Sequence, residues 1–104
     1  MVDDGSTDNT RELLEPLADR VTYVVQANAG PGAARNRGVR LAHGDWIAFL
    51  DSDDCWEADH VSRLLDRARE NPDAAMVYCG KRWVDVQGNL MEDIPVQETF
   101  PSGW

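Results

Sequence analysis

Three carboxylates crowd into Leu50-Asp51-Ser52-Asp53-Asp54, directly behind the apolar run Trp46-Ile47-Ala48-Phe49-Leu50. A buried strand that ends abruptly in clustered acids brings hard oxygen ligands to one rim of a sheet, where a divalent cation and a diphosphate can meet. A second acidic turn, Asp3-Asp4-Gly5-Ser6-Thr7-Asp8, lies near the start of the chain. The competing reading is plain: Asp is frequent in turns and at helix N-caps, so Asp53 or Asp54 also fits as the cap of a helix beginning near Glu57.

The elements that would hold these acids follow from periodicity. Leu13, Leu14 and Leu17 fall at helical spacing between Asn9 and Ala18, with Thr7 or Asp8 as the cap and Pro16 as a kink or stop. Val21 to Val25, β-branched and aromatic, reads as a buried strand running on to Gln26, and Asn28-Ala29-Gly30-Pro31-Gly32 punctuates its end. From Ala33 to Leu41 a helix places Ala34, Gly38, Leu41 and Ala42 near one face, leaving Arg35, Arg37 and Arg40 for solvent or a ligand.

His43-Gly44-Asp45 breaks that pattern before Trp46–Leu50, whose continuous apolar character predicts a strand covered on both faces. Glu57 to Glu70 predicts a helix with Val61, Leu64, Leu65 and Ala68 as its buried stripe, stopped by Asn71-Pro72-Asp73. Ala75 to Trp83 predicts another strand and Asp85–Asn89 a turn; Trp46 and Trp83 are expected in the core. Residues 92–104 show no periodicity and are expected to be an irregular tail after a domain over 1–91. The alternation of helix and strand is that of an α/β sandwich with a mainly parallel sheet, in which ligands gather at the carboxyl ends of strands.

Composition narrows the partners. The 104 residues carry 19 acids against 10 bases, a net charge of -9, which disfavours nucleic acid and anionic membrane surfaces. An apolar fraction of 42% with four Trp is enough to build a core and argues against disorder. No apolar run reaches the ~18 residues of a membrane span, and a cytoplasmic setting is the default expectation. Cys55 and Cys79 are too few for a zinc site and read as free thiols; His43 reads as a loop residue and His60 as a helix-face residue.

Taken in order, Val2-Asp3-Asp4-Gly5-Ser6-Thr7-Asp8, Asn28-Ala29-Gly30, Ala34-Arg35-Asn36-Arg37-Gly38 and Phe49-Leu50-Asp51-Ser52-Asp53-Asp54 resemble the nucleotide-sugar-binding half of a family 2 glycosyltransferase with the GT-A fold. The resemblance spans about residues 2–90 and implies transfer of a sugar, with inversion, from a nucleoside diphosphate donor (a uridine diphosphate sugar as first expectation) to an acceptor hydroxyl. It implies nucleotide-binding roles for Asp3, Asp4, Gly5, Ser6, Arg35 and Asp51. Asp3 or Asp4 would accept from the nucleobase imide, and Gly5-Ser6 would let backbone approach the nucleotide. Arg35 would neutralise phosphate or pack on the base. Asp51 would contact the ribose or a metal-bound water. Asp53, with Asp51, would hold Mg²⁺ or Mn²⁺ in the DXD pattern Asp51-Ser52-Asp53, and Asp54 would accept hydrogen bonds behind them.

The family's catalytic base lies well downstream of the acidic triplet, where Glu92, Asp93 and Glu98 sit in no acceptor-site motif; none is assigned as catalytic. The pattern also places a strand, a helix and most of a second strand ahead of Val2-Asp3-Asp4. A partial three-layer GT-A (Rossmann-like) sandwich lacking them has a gap in its sheet, so Val21–Gln26 is expected to re-pair with Trp46–Leu50, or a second copy to supply strands in a homo-oligomer. The rival function is a non-catalytic fold fragment or oligomerisation module without nucleotide binding.

Overall fold

The computed structural model describes residues 1–91; the expected tail over 92–104, with Glu92, Asp93 and Glu98, lies outside the described residues. The chain divides into two compact units, Met1–Asp54 and a second beginning at Cys55.

The first unit is α/β. Strand β1 (Val2–Asp3) is followed by helix α1 (Thr10–Leu14), a 3₁₀ turn over Glu15–Leu17, strand β2 (Val24–Val25) and helix α2 (Pro31–Leu41). β1 and β2 run parallel, with Val2 opposite Val24 and Asp3 opposite Val25. The Val24 amide donates to the Met1 carbonyl at 3.0 Å and the Gln26 amide to that of Asp3 at 2.9 Å. α2 packs on β1 through its small residues: a Cβ at Gly38 would stand 3.9 Å from Val2 Cγ2, ordinary contact distance.

Proline chemistry sets two boundaries. The helix expected over Asn9–Ala18 is α-helical only to Leu14, because Pro16 has no N–H for the next backbone bond and the chain tightens into the 3₁₀ turn. Asn9 takes the N-cap position, while the Asp8 carboxylate accepts from the Thr10 amide at 3.0 Å and from the Thr10 hydroxyl. α2 starts at Pro31, ahead of the expected Ala33, since proline at the first helical position has the right φ and no donor to lose.

The strand expectations need correction. Val21–Gln26 contributes only Val24–Val25, and Trp46–Leu50 is not a strand. Its residues are exposed, Trp46 by 45% and Phe49 by 53%, so Trp46 is not a core residue. β2 pairs with β1 and does not re-pair with Trp46–Leu50. The physical reason is the backbone: an apolar segment becomes a strand only when a neighbour takes up its N–H and C=O groups, and among the described residues none pairs with this one in a ladder.

In the second unit, helix α3 (His60–Glu70) begins after Asp59, later than the expected Glu57, so neither Asp53 nor Asp54 is its cap. Ala68 is buried and Leu64 and Leu65 are half-buried, whereas Val61, expected in the same stripe, is exposed. The Trp56 ring stacks on His60 at 4.8 Å, and the exposed thiol of Cys79 lies 3.9 Å from His60 Nδ1. Ala75–Trp83 is not a strand. A single antiparallel bridge, Val84 to Leu90, closes over the expected Asp85–Asn89 turn, whose Asp85 carboxylate accepts from the amides of Gln87 and Asn89. One bridge buries too little to hold Trp83, which stays exposed with Lys81 Nζ 4.4 Å above its ring. No described helix is long and apolar enough to cross a membrane.

Gly5 has φ +84°, and a Cβ there would meet the Asn28 amide nitrogen at 3.0 Å; at Gly32 a Cβ would meet nothing within 4 Å. Gly5→Ala should therefore lower stability by ~1–3 kcal/mol, whereas Gly32→Ala, inside a helix, should raise it by up to ~1 kcal/mol. Urea midpoints that move the same way in both variants would contradict this account.

Candidate functional site

Asp3 is the last residue of β1, and Asp4 opens the turn that follows it. Asp3 turns inward, only 7% exposed, where its carboxylate accepts from the Ser6 amide at 2.7 Å and from the Tyr23 hydroxyl. Asp4 is half-buried. Its Oδ1 accepts from Gln26 Nε2 at 2.6 Å and the Ala29 amide at 3.0 Å, and its Oδ2 from the Gly30 amide at 2.7 Å. Gly5 supplies the positive φ that lets the chain turn between these anchorages.

These bonds favour the ionised acids. The Tyr23 hydroxyl first, then the Ser6 amide, lowers the Asp3 pKa below its ordinary value, and the same bond raises that of Tyr23. Gln26 first, then the Ala29 amide, lowers that of Asp4. An ionised carboxylate offers about four lone-pair sites, and Asp4 already uses three. Burial thus separates two residues between which the sequence only leaned toward Asp4: Asp3 is locked into the fold, while Asp4 stays partly open to solvent.

Gly30 connects this anchorage to α2. Held at φ +86° as N-cap, it donates to Asp4 while its carbonyl accepts from Ala34. Just over one turn into the helix, Arg35 Nη2 meets Asp51 Oδ2 at 2.6 Å, with both side chains about half exposed. Asp51 starts a tight turn closed by the Asp54 amide donating to its carbonyl at 3.1 Å. The side chains of Asp53 and Asp54 are exposed. Arg37, grouped with Arg35 by sequence, serves the fold: its Nη1 donates to the Val25 carbonyl at 3.1 Å.

The structure therefore brings Asp3, Asp4, Gly5 and Ser6 together with Ala29-Gly30, and Arg35 together with Asp51. Asp53 is not drawn into a cluster: among the described residues no three His, Cys, Asp or Glu side chains converge on a point that could hold a metal. The donor chemistry still suits Mg²⁺ or Mn²⁺, hard ions that commonly take one or two carboxylates and complete their shell with phosphate oxygens and water. Tyr23 and Gln26, which hold the two N-terminal acids, escaped sequence reading because their partners lie some twenty positions away and no local pattern encodes them.

The profile of the family described as Glycosyl transferase family 2 matches residues 1–97. The chain belongs to that family. It is 45% identical over 88% of its length to a chondroitin synthase of Escherichia coli, covering 14% of that protein. It is 46% identical over 65% of its length to the succinoglycan biosynthesis protein ExoO of Rhizobium meliloti (strain 1021), covering 20%. With the glycosyltransferase YibD of Escherichia coli (strain K12) it shares 34% identity over 99% of its length, covering 31%. The chain thus spans less than a third of each of these relatives. No solved structure matches it.

The lowered pKa values fix the sign of an acid response. Asp3 and Asp4, with Asp8 and Asp85, sit below the ordinary 3.8 when folded, so on acidification the unfolded chain takes up protons first. Their stabilisation is complete above that value and is lost as pH falls through the lowered ones. Urea midpoints measured from pH 7 down to 3 should drop below about pH 4, and Asp4→Asn should make the drop shallower. An unchanged slope in that variant would show that the Asp4 anchorage contributes nothing.

Proposed function

We propose that this chain carries the donor-binding part of a metal-dependent, inverting glycosyltransferase, transferring a sugar from a nucleoside diphosphate to an acceptor hydroxyl. Alongside family membership, one observation supports it above others. A continuous set of contacts runs from the carboxyl end of β1, through Asp4 and Gly30, along α2 to Arg35 and the Asp51 carboxylate. Base-binding, phosphate-binding and ribose-binding groups are thereby tied into one compact unit. In this reading β1 and β2 belong to the mainly parallel sheet of a GT-A sandwich.

Asp4 accepts from the nucleobase imide, with Gln26 the partner most readily displaced, being a flexible side chain. The Gly5-Ser6 turn admits the nucleotide against backbone. Arg35 neutralises the diphosphate, and Asp51 orients the ribose. Asp53, with Asp51, would hold Mg²⁺ or Mn²⁺, which supplies charge neutralisation for the departing diphosphate. No catalytic base is assigned among the described residues.

Calorimetric titration of uridine diphosphate in Mn²⁺ should give metal-dependent heat in the wild type, with affinity reduced at least ~10-fold in Asp53→Ala, since even the outer partners of a metal site are worth that much. Absence of heat in the wild type would favour the rival reading, a non-catalytic fold or oligomerisation module.

One observation does speak for an added assembly role: the exposed apolar face of Trp46, Ile47, Phe49 and Leu50. Apolar residues contiguous along a chain are the usual material of interfaces. If a second copy covers them, light scattering at micromolar concentrations should return about twice the 11.6 kDa chain mass, and Phe49→Glu should return it to the monomer.

A further inference from the structure

We propose that Arg35 is a resident counter-cation that closes the Asp51 carboxylate to divalent metal until an anionic nucleotide draws the guanidinium away. The inference rests on the donor-site reading above and adds to it an order of events. Its basis is the ion pair itself: Arg35 Nη2 lies 2.6 Å from Asp51 Oδ2, and both side chains, at 46% and 49% exposure, are free to exchange partners.

The exchange follows from charge. A divalent cation bound to a carboxylate sits about 2.0–2.6 Å from its oxygen, which would put it within a few ångströms of the guanidinium already there. Two like charges at that range repel, and the exposed setting screens this only in part. With no nucleotide present, Asp51 is the carboxylate that the Arg35 guanidinium holds among the described residues, so Asp51 stays paired and metal affinity is low. A diphosphate offers the planar guanidinium two oxygens at once, a stronger partner than one carboxylate oxygen. Arg35 then transfers to the phosphates and Asp51 is released. By linkage, whatever factor the nucleotide adds to metal affinity, metal adds to nucleotide affinity.

The decisive measurement is Mn²⁺ alone, followed by electron paramagnetic resonance of the free ion, because direct metal–phosphate attraction cannot contribute there. Arg35→Gln should bind Mn²⁺ at least ~5-fold more tightly than wild type, the lower end of ordinary coupling, and the enhancement produced by uridine diphosphate should shrink correspondingly. Arg40→Gln removes the same charge from the same helix but has no place in the site, and should titrate like wild type. Arg35→Lys keeps the charge, loses the planar fork and should fall between; it carries the test if circular dichroism shows Arg35→Gln to be unfolded.

Equal Mn²⁺ affinity in wild type and Arg35→Gln, or equal tightening by Arg40→Gln, would overturn the latch while leaving the donor site standing. No Mn²⁺ uptake by any of these proteins, with or without uridine diphosphate, would overturn the donor-site reading and the latch with it.

Discussion

Asp3 ends β1 and Asp4 follows it in the turn, and the first unit depends on both carboxylates being satisfied. Asp3 spends its charge inward, on the Ser6 amide and the Tyr23 hydroxyl, tying the end of β1 to the approach of β2. Asp4 spends its charge on Gln26 and on the amides of Ala29 and Gly30, tying the same strand end to the start of α2. Two strands of two residues each make too few ladder bonds to persist unaided. The carboxylates supply the missing connections, and charge-assisted bonds of this kind are roughly twice as strong as neutral ones.

α2 carries that order onward. Its N-cap glycine is one of the groups Asp4 holds, its small residues let β1 approach, and Arg37 reaches back to the β2 carbonyl. With the helix held at these points, Arg35 is delivered to Asp51. Arg35 and Arg37, two positions apart on one helix, therefore do different work. In a chain of net charge -9 each cation has many acids to choose from; what selects Asp51 for Arg35 is the position of the helix.

Trp46–Leu50 shows the limit of pattern. Its composition is that of a buried strand, yet it is exposed and unpaired in any ladder among the described residues. Apolar composition states what a segment prefers to be buried in; it does not provide the neighbour. The same holds for Ala75–Trp83, which forms no strand; the isolated bridge between Val84 and Leu90 lies just beyond it. Helices fared better for the converse reason: their backbone bonds are internal, so α2 and α3 form without waiting for a partner.

The sequence by itself determined the family, through the order of its acidic, glycine and arginine motifs, and it determined that three helices form, though not their exact ends, with a stop at Pro16 and a turn at Asp85–Asn89. Each of these rests on bonds between residues a few positions apart, which local pattern can encode. Only the tertiary structure decided that Asp3 is buried while Asp4 stays partly open to solvent, that Tyr23 and Gln26 are their partners, that Arg35 faces Asp51 while Arg37 faces backbone, and that two apolar segments fail to become strands. Those outcomes turn on groups that the chain brings together from 12 to 26 residues apart, and a carboxylate or a strand edge takes whichever partner the fold puts within reach.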